Sequence, residues 1–281
     1  HRLQSVHEPT RQVCAVKKIL PEHVRDERAR RLFEREMDVQ SFMDHPNLVK
    51  VFTRGRHEGI PFCALEFLGG GDVERLVMEE FTGPIDPALA CKILLDVLRG
   101  LEALHGLGFV HRDLKPANFL LTRSVREGGF VAKIADCGFA KCFEEAGNSL
   151  FDYTQAGDAC GTLLFMPPEQ ILNYRYVKPP TDVYAAGVSL YYLLSARYTV
   201  DFPTQLDLLQ RAVAGRRFRN PIEVILEDPP IPLLDRAPQL PRALAQVVDK
   251  AVEKDLDRRF ASTTDFREAL ERAIGRSGLR I

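Results

Sequence analysis

Residues 110–120, which read V-H-R-D-L-K-P-A-N-F-L, constrain the fold of this chain more than any other stretch. A histidine, an arginine, an aspartate, a lysine and an asparagine stand here between apolar residues. Any one of them alone is most simply a charged residue of a solvated loop. Together, at this spacing, they indicate a built site that combines a carboxylate, cations and an amide oxygen.

The segment resembles the catalytic loop of the eukaryotic-type protein kinases, H-R-D-L-x-x-x-N. The fixed letters of that pattern are present at His111, Arg112, Asp113, Leu114 and Asn118. Phosphoryl transfer has a loose transition state, so its catalysts mainly position reactants and neutralise charge. The resemblance implies that Asp113 accepts the substrate hydroxyl proton, that Asn118 holds Mg²⁺, and that Lys115 faces the γ-phosphate. A lysine at position 115 is the serine/threonine form of the family.

The length, composition and net charge of the chain are compatible with a protein kinase domain. A chain of 281 residues exceeds the usual size of a single core, which favours two lobes. Its 45% hydrophobic and 27% charged residues are typical of a soluble globular protein. A net charge of −1 without a sustained basic run argues against nucleic acid as a partner.

The cysteines and the apolar segments indicate a cytoplasmic domain. The six cysteines form no CxxC pair and no metal-ligand spacing with histidine, which fits a reducing compartment. The longest apolar run, 183–196, is too short to span a bilayer, and no signal peptide opens the chain. Because the first residue is not Met, we expect a fragment of a longer protein, which leaves a membrane anchor elsewhere an open alternative.

Two β-like runs lie between Leu3 and Leu20, and the second, residues 13–17, resembles the strand that carries the phosphate-binding lysine of kinases. By this resemblance Lys17 contacts the α- and β-phosphates and Ala15 covers the adenine. In the helical pattern that follows, Glu36 holds the position of the glutamate that pairs with this lysine. A solvated edge lysine and a surface glutamate are the simpler alternatives for the two residues taken singly.

Residues 48–52 and 61–67 read as strands joined through a turn with Gly55 and Gly59, and residues 63–72 resemble the kinase hinge. A flexible linker is the alternative for its glycine run. The resemblance assigns four hinge roles: the gatekeeper Leu65, backbone contacts to adenine from Glu66 and Leu68, and a ribose contact from Asp72.

A structural helix is predicted from Asp86 to Leu107, and Leu120 would form the floor of the adenine site. A long turn and the strand 130–135 lead to Asp136, where the family has its DFG motif, and Asp136 would chelate Mg²⁺. Cys137 replaces the phenylalanine and Gln40 replaces an apolar residue, so we expect the internal stack to be looser or differently packed. Cys137 is more simply a small core residue than a redox switch.

The activation segment ends at residues 161–169, G-T-L-L-F-M-P-P-E, and Thr162 would hydrogen-bond Asp113 and Lys115. We expect either that Asp158 pairs with Arg112 in place of a phosphate, or that Asp158 is an exposed loop residue. Three hydroxyl residues are possible modification sites: Ser149, Tyr153 and Thr154.

Landmarks of the helical half complete the resemblance. Asp182 would anchor the catalytic loop, and Arg259 would pair with Glu169. The Pro-rich stretch 221–241 is predicted to be an irregular packed loop. A glycine-rich hairpin is missing, since Gly55 is the first glycine, so either residues before His1 were trimmed or the protein lacks this loop.

These patterns predict an α+β fold with a small antiparallel β lobe and hinge in residues 1–68 and a helical lobe in residues 69–281. They predict a serine/threonine protein kinase that uses ATP and Mg²⁺ on protein substrates. The main alternative is a pseudokinase that senses nucleotide or binds a partner. The oligomeric state stays open.

Overall fold

A computed structural model of the chain describes residues 2–7, 12–19, 23–136, 162–173, 177–202 and 220–281, with side chains from residue 13 onward. The strands are β1 Arg2–His7, β2 Gln12–Lys18, β3 Val51–His57, β4 Ile60–Glu66, β5 Phe119–Leu121 and β6 Ala132–Ile134. The longer helices are α1 Glu27–Ser41, α3 Pro87–Gly106, α5 Pro179–Ser195, α8 Arg242–Ala251 and α9 Thr263–Ser277. The short helices are α2 Val73–Arg75, α4 Pro168–Leu172, α6 Pro221–Glu227 and α7 Leu233–Arg236.

The small lobe is an antiparallel sheet in the order β1-β2-β4-β3, with α1 packed against β3 and β4. Asp26 caps α1 by accepting hydrogen bonds from the backbone N–H groups of Arg28 and Ala29. The buried side of α1 carries Phe33, Glu36, Met37 and Gln40. The sheet and this helix therefore bring Lys17 on β2 and Glu36 on α1 to the same cleft.

Strand β3 runs from Val51 to His57, so the prediction of a strand ending at residue 52 and a turn at Gly55 was wrong. This strand lies at the sheet edge and is exposed on both faces, so its sequence lacks the alternation that marks a half-buried strand. The turn is Glu58-Gly59, whose φ angles of 51° and 76° suit a tight hairpin.

The large lobe is built around α3 and α5, which are buried along most of their lengths. Asp86 caps α3, and Pro87 occupies its first turn, where a missing N–H costs nothing. The helix α5 begins at Pro179, several residues before the predicted apolar run. None of the helices in the described part of the chain has the length and hydropathy that a bilayer span requires.

The stretch 221–241 contains α6 and α7, so the prediction of an irregular loop was wrong. Asn220 and Glu223 form a capping box, in which each side chain accepts a hydrogen bond from the backbone N–H of the other residue. Pro221 stands at the first helical position, where its fixed φ favours a helix. Proline was therefore a start signal here rather than a breaker.

The two lobes are joined behind the cleft through Asn47. Its side-chain amide donates to the carbonyl of Ala132 at 3.0 Å, and its carbonyl accepts from the N–H of Ile134 at 2.8 Å. Gly100 on α3 allows this close approach, because a Cβ at this position would lie 2.7 Å from the Asn47 oxygen. The segment that follows α1 is thus fixed to the large lobe.

Gly100→Ala is expected to reduce the free energy of unfolding by about 1–3 kcal/mol, because the added methyl group overpacks this junction. Gly106→Ala on the same helix is the matched control, since beyond its chain neighbours and the backbone of its own helix nothing lies within 4 Å of the added Cβ. The control should be neutral or stabilise the helix by up to about 1 kcal/mol. Urea unfolding checks both, and equal midpoints would contradict the close approach.

Candidate active site

The cleft between the lobes contains a lysine held by two carboxylates. The Lys17 Nζ lies 2.9 Å from Glu36 Oε1 and 2.8 Å from Asp136 Oδ1. The side chains of Lys17 and Glu36 are 17% and 8% exposed, so water screens this pair little. The arrangement fixes a cation at the point where α1, β2 and the end of β6 meet.

The catalytic loop is anchored by the buried Asp182 at the start of α5. Its Oδ2 accepts hydrogen bonds from the His111 N–H at 2.7 Å and from His105 Nε2 at 2.7 Å, and its Oδ1 accepts from the Arg112 N–H at 3.0 Å. Burial raises the pKa of Asp182, but four effects outweigh burial and hold this pKa below its usual value: the hydrogen bond and the charge of His105, the charge of His111 and the backbone hydrogen bond of Arg112. Asp182 is therefore a fixed anion at neutral pH.

Asp113, Asn118 and Lys115 lie together at the mouth of this loop. The Asn118 amide donates to the Asp113 carbonyl at 2.7 Å and to its Oδ2 at 3.3 Å. The Lys115 Nζ lies 3.9 Å from Asp113 Oδ1 and donates to the Thr162 hydroxyl at 2.6 Å. The structure thus joins the loop to the end of the activation segment, as predicted for Lys115 and Thr162.

Two residues of the site have left-handed backbone conformations. Arg112 and Asp136 have φ angles of 68° and 53°. Such conformations cost energy in residues other than glycine and are found where the surrounding contacts enforce them. At Arg112 those contacts are its N–H bond to Asp182 and the bond from the Gln170 amide to its carbonyl at 2.8 Å.

His111 is buried and connects this loop to the strand that ends at Asp136. Its Nδ1 accepts a hydrogen bond from the Asp113 N–H at 3.3 Å, so its Nε2 carries the proton and donates to the Ala135 carbonyl at 3.2 Å. The imidazole therefore sets the distance between Asp113 and Asp136.

The residues predicted to contact adenine share one apolar cluster. Ala15, Leu65, Leu68 and Leu120 belong to it, and Ala15 pairs with Leu65 across β2 and β4. Asp72, predicted to face a ribose, pairs with Leu120 and caps α2 by accepting from the Arg75 N–H at 2.9 Å.

The hinge is packed tightly against the large lobe. A Cβ at Gly70 would lie 2.2 Å from the Arg123 carbonyl, so only glycine fits at this position. The Lys133 ammonium contacts both carboxylate oxygens of Glu66, at 2.7 and 2.8 Å. The Glu66 N–H donates to the Lys50 carbonyl at 2.9 Å, so this backbone donor is already used inside the small lobe.

A buried ion pair holds the end of the activation segment against the large lobe. Arg259, with a fully buried side chain, contacts Glu169 through two bonds of 2.6 and 3.2 Å. The guanidinium also lies over the Tyr184 ring, 4.8 Å from its centroid. This pair, predicted from the sequence, holds α4 next to the catalytic loop.

Gln40 is buried, and its amide donates to the Val49 carbonyl at 3.4 Å, so a polar contact takes the place of the expected apolar one. Several residues named above lie outside the described residues, and their contacts with the site stay predictions: Cys137, Ser149, Tyr153, Thr154 and Asp158.

Sequence reasoning missed four residues that position the site: Asn47, His105, Lys133 and Gln170. Each is a single polar residue in a helix, strand or loop, and each acts on a partner far away in sequence. Gln170 had the clearest signal in the sequence, because it directly follows the motif that ends the activation segment. Its amide contacts the catalytic loop at the Arg112 carbonyl.

Comparison with solved structures places the fold among the two-lobed kinases. The crystal structure of the Mycobacterium tuberculosis PknI kinase domain matches with a TM-score of 0.67 at 22% identity, over 97% of this chain and 90% of that one. The likeness at this identity shows the fold alone.

The chain belongs to the protein kinase domain family, whose family model matches residues 3–272. It is 32% identical over 260 residues to the serine/threonine-protein kinase PknJ of Mycobacterium tuberculosis, covering 92% of this chain and 41% of that protein. It is also 32% identical to the serine/threonine-protein kinase pkn3 of Myxococcus xanthus, over 88% of this chain and 42% of that protein. The chain thus spans about two fifths of the length of these relatives.

Proposed function

We propose that this chain is a serine/threonine protein kinase domain that transfers the γ-phosphate of ATP to hydroxyl groups of proteins. The observation that carries the proposal is the Lys17 ammonium, held between Glu36 and Asp136. A cation fixed in this way is suited to phosphate oxygens, and Glu36 keeps it in place when Asp136 turns to a metal ion.

The residues at the cleft fit Mg²⁺. Asn118 uses its amide N–H group on Asp113, which leaves its Oδ1 to face a cation beside the carboxylate of Asp136. Magnesium is usually held by one or two such oxygen ligands together with substrate phosphates and water. Mg²⁺ held there would supply positive charge to offset the phosphate charge that develops during transfer.

The catalytic loop supplies the acceptor side of the reaction. Asp113 accepts the proton of the substrate hydroxyl, and Lys115 places its charge next to the transferred group. Arg112 orients this loop through its bond to Asp182. The bond between Lys115 and Thr162 supports the serine/threonine assignment, because it ties the peptide platform to the catalytic base.

The nucleotide base fits the opposite end of the cleft. Ala15, Leu65 and Leu120 provide an apolar slot, and the hinge backbone at Glu66 and Leu68 provides polar groups. Asp72 stands where a ribose hydroxyl would meet its carboxylate. The buried free thiols of Cys14, Cys63 and Cys91 support a location in the reducing cytoplasm.

The relatives support this proposal as well. Those reported above are named serine/threonine-protein kinases, and they give no support to a pseudokinase. Protein kinases as a family use ATP and Mg²⁺ and act on proteins. The identity of the substrates is set by contacts of the whole protein.

The test is phosphate transfer from Mg-ATP to three peptides that differ only in a Ser, Thr or Tyr acceptor. The proteins tested are this chain and a longer form that includes any residues encoded upstream of His1. Each is compared with its own Asp136→Asn variant. We expect phosphoserine and phosphothreonine, and no product from Asp136→Asn. Asparagine accepts a left-handed backbone well, so this variant should fold normally, which its melting temperature checks.

Phosphotyrosine as the main product would contradict the serine/threonine assignment. An absence of transfer in both folded forms would contradict the kinase proposal and favour the pseudokinase.

A further inference from the structure

A groove lies between α8 and α9, in a part of the large lobe that the catalytic cleft does not use. Its walls are one face of α8 from Ala243 to Lys250 and one face of α9 from Ala269 to Arg276. Phe260, in the connection between the two helices, also lines it. The groove has a volume of about 300 Å³, at the lower end of the range for small-molecule sites.

The floor of the groove is apolar and rigid. Small alanine side chains on both helices leave the space open, and the buried Phe260 stacks on Phe266 with ring centroids 5.4 Å apart. Stacked, buried rings hold their positions, so the space is preformed. A compact apolar group would lose contact with water here without displacing protein side chains.

The rim of the groove is cationic. Lys250 lies over the Phe260 ring, 4.5 Å from its centroid, and within the described ranges neither Lys250 nor Arg276 forms an ion pair. Arg272 has only a 3.5 Å contact with Glu268, and both side chains are at least half exposed. Such an exposed pair is weak, and no acidic residue lines the groove.

We propose that this groove binds a small amphiphilic anion, a carboxylate or phosphate monoester that carries a compact apolar body. The anionic group would lie between Lys250, Arg272 and Arg276, and the apolar body would lie on the alanine walls against Phe260. The apolar floor lies beside two cations without an ion pair among the described residues, Lys250 and Arg276, and a third, Arg272, with only a weak exposed one. This combination selects the ligand class over a neutral apolar molecule and over a bare anion. The site is independent of the proposed kinase activity.

The test is a titration of the chain with 2-naphthyl phosphate, in which binding is detected through the fluorescence of this probe. Neutral 2-naphthol is the comparison ligand. We expect 2-naphthyl phosphate to bind at least about tenfold more tightly than 2-naphthol. Its affinity should fall as the salt concentration rises. The double variant Lys250→Gln/Arg276→Gln should raise its Kd by about tenfold or more.

The matched control is Arg242→Gln/Arg280→Gln, which removes two exposed charges near the groove without changing its lining. It should bind like the unaltered chain, and melting temperatures should show that both double variants are folded. Because all four side chains are exposed, neither change should unfold the domain.

Equal Kd values for the two double variants would overturn the proposal, as would equal binding of 2-naphthol. A second arm measures cosedimentation with vesicles of phosphatidylglycerol. Vesicle binding that needs Lys250 and Arg276, without binding of 2-naphthyl phosphate, would show a membrane-facing surface and would also overturn it.

Discussion

Asp113→Asn is expected to lower kcat for peptide phosphorylation by about 10³-fold while changing the Kd for ATP by less than about twofold. The amide has the shape of the carboxylate but cannot accept the hydroxyl proton. The loop should keep its structure, because Asn118 donates chiefly to the backbone carbonyl of Asp113, and His111 contacts its backbone N–H. The effect therefore falls on the chemical step.

Single-turnover phosphate transfer and nucleotide titration separate the two quantities. Asp257→Asn, in an exposed loop of the large lobe, is the matched control and should leave both unchanged. A loss of kcat below about tenfold would show that Asp113 is not the base. A large rise in the Kd for ATP would instead show that its charge serves nucleotide binding.

Asp182→Asn is expected to reduce the free energy of unfolding by about 3–5 kcal/mol, because a fully buried carboxylate with several donors loses its charge. An asparagine also replaces one acceptor oxygen by a donor NH₂, which leaves either the His111 N–H or the Arg112 N–H buried without an acceptor. In a domain of this size the melting temperature should fall by roughly 5–9 °C.

The same carboxylate gives the stability a defined pH dependence. The pKa of Asp182 in the folded state lies below its usual value. At pH values between the folded and the unfolded pKa, the folded chain therefore binds fewer protons than the unfolded chain. Its contribution is complete above the unfolded pKa of about 3.9 and is lost as pH falls through the lower folded pKa. The stability difference from Asp182→Asn should thus be constant near neutrality and narrow below about pH 4.

Thermal unfolding between neutral and acidic pH checks this expectation. Asp86→Asn serves as the control, since asparagine caps a helix as well as aspartate does, and its exposed position should leave the melting temperature unchanged. Equal melting temperatures for Asp182→Asn and the unaltered chain would contradict the anchoring role.

The parts of the site that the sequence predicted are those with short, fixed spacing. The loop from His111 to Asn118 needs its residue types in one order, so the pattern appears in the chain itself. Lys17 and Glu36 were predicted through resemblance, because a strand lysine and a helix glutamate carry no local sign that they meet. Their contact depends on how α1 packs on the sheet.

The residues that reasoning missed have partners chosen by tertiary structure. His105 and Thr263 are 158 positions apart, yet they contact each other beside Asp182. The bounds of β3 were wrong because an edge strand exposed on both faces needs no apolar alternation. The helix α6 was missed because Pro221 was treated as a breaker, although proline favours the first turn.

The Asn47 junction ties the segment just after α1 to the opposite lobe, so a rotation of α1 has its pivot near the C-terminal end of the helix. From Glu36 to Ser41, the last residue of α1, the helix is about 7.5 Å long, so a tilt of about 20° at this end moves Glu36 by roughly 2.5 Å. That displacement takes the 2.9 Å contact with Lys17 out of hydrogen-bonding range. A small swing of one helix thus disconnects the cation from its carboxylate without any change in the catalytic loop.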